Sequence, residues 1–198
     1  MIKIGLTGNI GSGKTTVCKI LETLNVPVFY ADVEAKKLYK RRDVVEQLVK
    51  KFGRIVLNEN DLIDFKMLAS LIFSDRKALE FVTNLIHPLV FQVYNEWLNR
   101  WEKEPVTVHE SAILFENHLQ HHFDKTVVVA CPKEIRLKRL LERDKISQEM
   151  ILQRMKNQWP DEQKENAADY VIMNDGSVFL IPQVLTLLEN LKGSSSVS

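Results

Sequence analysis

Residues 8–16 read GNIGSGKTT. Three of the chain's seven glycines, Gly8, Gly11 and Gly13, fall in this stretch, and Lys14, Thr15 and Thr16 follow at once. The spacing fits G-x-x-x-x-G-K-[ST], the pattern of a phosphate-binding loop. Glycines let the backbone turn tightly around phosphate oxygens and aim its N–H groups at them. The start of the helix that follows adds about half a positive charge. Gly11, Ser12 and Gly13 would wrap the phosphates, with Thr15 and Thr16 at the helix start. Lys14 would reach the β- and γ-phosphates of a nucleotide, and the Thr15 hydroxyl would ligate Mg²⁺.

Other residues could do chemistry beside this loop. Asp32 ends the run VPVFYAD, at the edge of a parallel sheet where ligands bind. It can serve as a general base, as a water-mediated Mg²⁺ ligand, or simply as the N-cap of the helix that follows. Arg136, Arg139 and Arg143 recur at helical spacing on one stripe. Such a row suits a lid that closes on phosphates, because guanidinium is a permanent, planar donor; the alternative is a solvated face paired with Glu134 and Glu142. His87 precedes Pro88, and Glu110 and Glu116 flank SAILF; each has a plain structural role as its alternative. His118, His121 and His122 lie close together, but no cysteine or carboxylate spacing supports a zinc site, and the stretch reads as a polar loop.

Positioning these residues requires alternating elements. IKIGLTG is a short apolar run ending in glycine, a buried strand. Val17, Ile20, Leu21 and Leu24 follow helical periodicity, and VPVFYAD is a second strand, completing a βαβ unit. From about 34 to 103 the pattern is helical, with His87-Pro88 as a boundary or kink and Leu85, Leu89, Val93, Trp97 and Trp101 along one face. RIVL (54–57) is the one strand-like run there. Strands return at 105–114 and 125–131, helices follow at 133–144 and 147–159, and a last strand at 168–175 precedes a closing helix. Strands alternating with helices predict an α/β fold, a doubly wound and mainly parallel sheet of the P-loop NTPase type. Residues 1–34, 104–132 and 166–192 form its core; 35–103 are a helical acceptor-binding insertion, 133–165 a helical lid, and 193–198 a disordered tail.

Bulk properties narrow the partners. The 198 residues are 45% hydrophobic and 27% charged, with a net charge of +1, so no global field points to nucleic acid or a membrane surface. Cys18 and Cys131 lack CxxC spacing and read as reduced, buried residues. The N-terminus lacks the regions of a signal peptide, and a cytoplasmic protein, monomeric or weakly homo-oligomeric, is expected. A guanine-reading N-K-x-D is absent, and the chain is short for a translocating ATPase. A phosphate loop, an acceptor-binding insertion and a lid that excludes water are the parts of a small-molecule kinase. The residues do not identify the acceptor; a nucleoside or sugar kinase, or a nucleotide-binding regulator without turnover, fits the same parts.

Taken together, IGLTGNIGSGKTTV, ADVEAKKL, LASLIFSD, LIHPLV, LFE, LKRLLERD, NQW and ADYVIMNDGS resemble the dephospho-coenzyme A kinase family, in the family's order and over nearly the whole chain. The resemblance implies ATP-dependent phosphorylation of the 3′-hydroxyl of dephospho-CoA. By the same resemblance Asp32 is the base, Lys14 holds phosphates, Arg139 meets the transferred group, and Arg143 and Asn174 join the nucleotide contacts. His87 and Glu116 would contact the acceptor. Three departures stand out. The family's D-A-D is Tyr30-Ala31-Asp32 here, its arginine after the aspartate at Asp64 is Phe65, and the stretch from Glu110 to Glu116 lacks the family's proline.

Overall fold

The structure is a computed structural model and describes residues 1–144 and 147–194. β1 (Ile2–Thr7) leads through the glycine-rich loop into α1 (Lys14–Thr23), and β2 (Val28–Tyr30) runs directly into α2 (Ala31–Leu38). Three more helices follow: α3 (Arg42–Phe52), α4 (Phe65–Ser74) and α5 (Arg76–Arg100). The chain continues through β3 (Val106–Glu110), β4 (Lys125–Ala130), α6 (Lys133–Asp144), α7 (Gln148–Lys156), α8 (Asp161–Ala167), β5 (Tyr170–Met173) and α9 (Leu180–Ser194). Two compact units result, Met1–Tyr30 with Trp101–Ser198, and Ala31–Arg100.

The first unit is built on a five-stranded sheet in the order β2-β3-β1-β4-β5. Every neighbouring pair is parallel, with Ile4 opposite Val108 on one side of β1 and Leu6 opposite Val127 on the other. All carboxyl ends therefore share one edge, and the loop after β1 leaves from the middle of it, where successive strands diverge to either side. On one face Val17, Cys18 and Leu21 of α1 and Val184, Leu187 and Leu191 of α9 bury against Ile4, Leu6, Val108, Val127 and Ile172. On the other, Leu114 and Phe115 pack on Val128 and Ala130, with Trp159 at the margin. Covering both faces explains the near-continuous apolar runs of the central strands.

Several expected elements shift. β3 stops at Glu110, and the run expected to extend to 114 turns instead, with the Asn117 N–H donating to Ile113 O at 3.2 Å. β5 occupies the middle of the expected 168–175. Helix α8, unforeseen, is short and polar, without the apolar period that marks a helix in sequence. The tail expected from 193 starts inside α9; residues 195–198 lie outside the described residues.

In the second unit α5 runs unbroken for 25 residues with Pro88 inside it. Proline removes the bond to the carbonyl four residues back. Asn84 and Pro88 are both exposed, so water can take that carbonyl. The fully buried stripe is Ala78, Val82, Ile86, Val90 and Tyr94, one residue away from the expected face of Leu85, Leu89, Val93, Trp97 and Trp101. Most of that face is half-buried, and Trp101 is exposed; the helix covers its core with more than one row. RIVL is a 3-10 turn over Arg54–Val56, with Leu57 in an isolated bridge to Ile63. Asp64 caps α4, accepting from the N–H groups of Lys66 and Met67. Phe65, where the resemblance expects arginine, is half exposed and meets Tyr39 edge-to-face at 5.2 Å.

Candidate active site

The loop keeps its shape because glycine stands where nothing else fits. Gly8 has φ +153, and a Cβ there would lie 2.5 Å from the Val129 carbonyl oxygen and 2.7 Å from Ser12 Oγ. Gly13, at φ +97, is the N-cap of α1, and a Cβ would lie 2.0 Å from Asn174 Nδ2. That amide donates to Ser12 O at 2.7 Å, and the Asn174 N–H donates to Ala130 O at 2.8 Å. Asn174, just past β5, thus buttresses the loop from the far side of β4. No side chain caps the start of α1 and no acidic residue stands in its first turn, so its positive end is available to an anion.

Lys14 Nζ donates to Gly8 O at 2.9 Å and stands 3.8 Å from Glu110 Oε1. Glu110 is a residue whose importance the sequence understated. It ends β3, in register with Leu6 of β1 and Tyr30 of β2, so the sheet sets an acid beside the loop lysine. Its signal was an acid closing an apolar strand.

A cleft of about 380 Å³ opens on this loop, and it gathers Gly11, Gly13, Lys14, Thr15 and Thr16 with Arg139, Arg143 and Asn174. Ser12 lies beneath, buried, its N–H donating to Asn9 O at 3.0 Å. Arg139 reaches Cys131 Sγ with Nη1 at 3.4 Å. Burial pushes the Cys131 thiol up, and Arg139 and Arg136 partly oppose that shift. Arg143 donates to Asp144 at 2.6 Å, and that bond raises its already high pKa further.

The arginine row is not one functional set. Arg136 is 3% exposed and bonds within the protein: Nε to Cys131 O at 2.9 Å, Nη1 to Ile10 O at 3.3 Å, and Nη2 to Asp161. Helical spacing put it on the stripe with Arg139 and Arg143, but the strand end and the loop already occupy its side of α6.

Glu116 stands in a different buried setting. Its Oε1 accepts from Lys164 Nζ and from the Trp159 N–H, both at 2.8 Å. Lys164 is 1% exposed and also donates to Ala112 O at 3.1 Å. Burial lowers the Lys164 pKa, against the raising effect of Glu116. The two cysteines are free and buried.

In the second unit, Asp32 is the second residue of α2, two positions past the end of β2, and is exposed. Because the helix starts at Ala31, Asp32 lies inside the first turn rather than at the cap, where its charge still complements the helix dipole. His87 is half-buried on α5, and burial lowers its pKa. Among the described residues no group of three or more His, Cys, Asp or Glu could hold a metal. Mg²⁺ is bound through few protein oxygens plus waters and phosphates. The exposed Thr15 at the head of α1 supplies an oxygen donor of that kind, as does Asp32. Among the described residues no helix is long and apolar enough to cross a membrane.

The dephospho-CoA kinase family model matches residues 2–179 of this chain. A Bacteroides fragilis dephospho-CoA kinase is 38% identical over 188 residues, covering 94% of this chain and 91% of the relative. A crystal structure of a Thermus thermophilus protein superposes with a TM-score of 0.87 at 34% identity, covering 96% of each chain. A Campylobacter jejuni dephospho-CoA kinase superposes at 0.70 with 27% identity, covering 97% of this chain and 98% of the other.

Proposed function

This chain belongs to the dephospho-CoA kinase family, and on that premise we propose that it transfers the γ-phosphoryl group of ATP to the 3′-hydroxyl of dephospho-CoA, giving CoA and ADP. The observation that carries this reading is the cleft in which the loop lysine, the start of α1, Arg139, Arg143 and Asn174 converge. Phosphoryl transfer depends on positioning and charge neutralisation more than on covalent chemistry by the protein. Lys14 and the loop N–H groups would hold the β- and γ-phosphates, and Arg139 would neutralise charge on the group in transfer. As the acceptor oxygen bonds to phosphorus, the bond to the ADP oxygen breaks and Asp32 takes the hydroxyl proton. Its position just past the carboxyl end of β2 supports that role. His87 and Glu116 are proposed acceptor contacts, Glu116 acting within the bonds it makes to Lys164 and Trp159. Thr15 would help to hold Mg²⁺, with Asp32 joining it through water as the alternative to its role as base, and the ion would supply neutralisation of developing charge. Both substrates are water-soluble, which suits a cytoplasmic enzyme, monomeric or weakly homo-oligomeric.

Incubation with Mg-ATP and a panel of acceptors tests the reading. Phosphorylation of dephospho-CoA is expected. Product only with a nucleoside or sugar would assign another acceptor, and no transfer at all would make the chain a nucleotide-binding regulator.

Arg139 gives a sharper check. Arg139→Lys keeps the charge and loses the planar fork. It is expected to depress kcat with little change in ATP affinity, because the fork matches the transferring group more than bound ATP. Weaker ATP binding with kcat intact would make Arg139 a ground-state contact.

A further inference from the structure

We propose that Arg136 and Asp161 are a positioning pair that sets the backbone of the phosphate loop at residues 9–11, and through it the affinity for ATP. The inference rests on reading that loop as the ATP site. Nothing in the expected chemistry requires Arg136, yet it is among the most buried charges of the chain. Burying a guanidinium is unfavourable unless its donors are matched. Here they point at three separate pieces of the molecule: the end of β4 at Cys131, the loop at Ile10, and the start of α8 at Asp161. Asp161 passes the connection on, accepting from Asn9 Nδ2 at 2.6 Å. That amide also donates to Trp159 O at 3.0 Å, and the Ile10 N–H donates to Gln158 Oε1 at 2.8 Å.

The consequence for the loop follows from peptide geometry. A trans peptide points its carbonyl and N–H to opposite sides. Holding the Ile10 carbonyl toward Arg136 turns the Gly11 N–H away from it, and Gly11 lines the cleft. The α6 backbone reinforces this register, since a Cβ on Gly11 would lie 3.1 Å from the Arg136 carbonyl oxygen and from Leu140 Cδ1. Arg136 thus acts through the loop without touching the nucleotide, its planar fork presenting Nε, Nη1 and Nη2 to three acceptors at once.

Titration with the β,γ-imido analogue of ATP, steady-state kinetics and thermal melting test the proposal together. Arg136→Met is expected to weaken analogue binding and raise KM for ATP about tenfold, the scale of a lost charged hydrogen bond, with KM for dephospho-CoA nearly unchanged. Asp161→Asn is expected to shift ATP affinity the same way by about threefold, its side chain being part exposed. The double variant is expected to be no weaker than Arg136→Met, since the two residues act as one unit, and Arg136→Lys is expected to recover part of the loss. Val106→Ala, in the core at the opposite end of β3, is the stability control and should lower the melting temperature without moving ATP affinity. Wild-type affinity in Arg136→Met and Asp161→Asn, or losses no larger than that of the control, would overturn the proposal. If Arg136→Met does not fold, Asp161→Asn decides alone, and wild-type affinity there overturns it. Lys14→Ala separates the two readings. If it loses the analogue while the pair variants keep it, the positioning role fails and the ATP site stands; if all of them keep it, both fail.

Discussion

Lys14→Ala is expected to lower kcat/KM for ATP by about 10²-fold or more, a loss of about 3 kcal/mol of transition-state stabilisation. The side chain is placed for this work. It stands at the head of α1, directly after the Gly13 cap, with its ammonium over the loop against Gly8 O. Glu110, 3.8 Å away, helps to aim it at the sheet edge. Removal leaves the loop glycines in place but takes this cation away from Glu110 and Gly8 O, so the variant should still fold, with a lowered melting temperature, while failing to turn over. Steady-state kinetics beside a melting curve decide the matter. A folded variant with near-normal turnover would mean that the loop is not where chemistry occurs.

Asp32→Asn is expected to slow turnover by at least about 10²-fold, the usual scale for a positioned base. A ribose hydroxyl is a poor nucleophile, and a carboxylate within hydrogen-bond reach can take its proton as the new bond forms. Asparagine is nearly isosteric. Since Asp32 lies inside the first turn of α2 and is exposed, the exchange sacrifices only a surface charge–dipole term, roughly 0.3–1 kcal/mol. The protein should therefore fold and bind both substrates while kcat falls. Wild-type kcat would leave Asp32 as a helix-start residue and move the search for the base to the remaining acids, Glu116 first.

The phosphate loop was legible because its chemistry is contiguous: glycines, lysine and threonines must adjoin in sequence to adjoin in space. The parallel α/β sheet was legible for a similar reason, from short apolar runs alternating with periodic ones. What escaped depends on topology. Glu110 meets Lys14 only because β3 inserts between β2 and β1. Asn174 was expected from a motif, but its grip on Ser12 comes from β5 lying beyond β4. Arg136 and Arg139 share a stripe, and periodicity cannot say that one is enclosed while the other borders the cleft. Helix α8 has little apolar pattern, and its buried Lys164 is held by a partner from a distant turn.

That enclosed lysine constrains how this chain can change over generations. Removing either member of a buried ion pair leaves an uncompensated charge, a loss of about 3–5 kcal/mol, whereas replacing both with well-packed apolar groups can be neutral. Positions 116 and 164 are therefore joined by a valley that single substitutions cross at a disadvantage. The Trp159 N–H shares the same carboxylate oxygen and Ala112 supplies a carbonyl to the same ammonium; both are backbone groups that nearly any residue supplies, so the constraint stays with the two charges. Descendants of this sequence are expected to keep both charges or to lose them together.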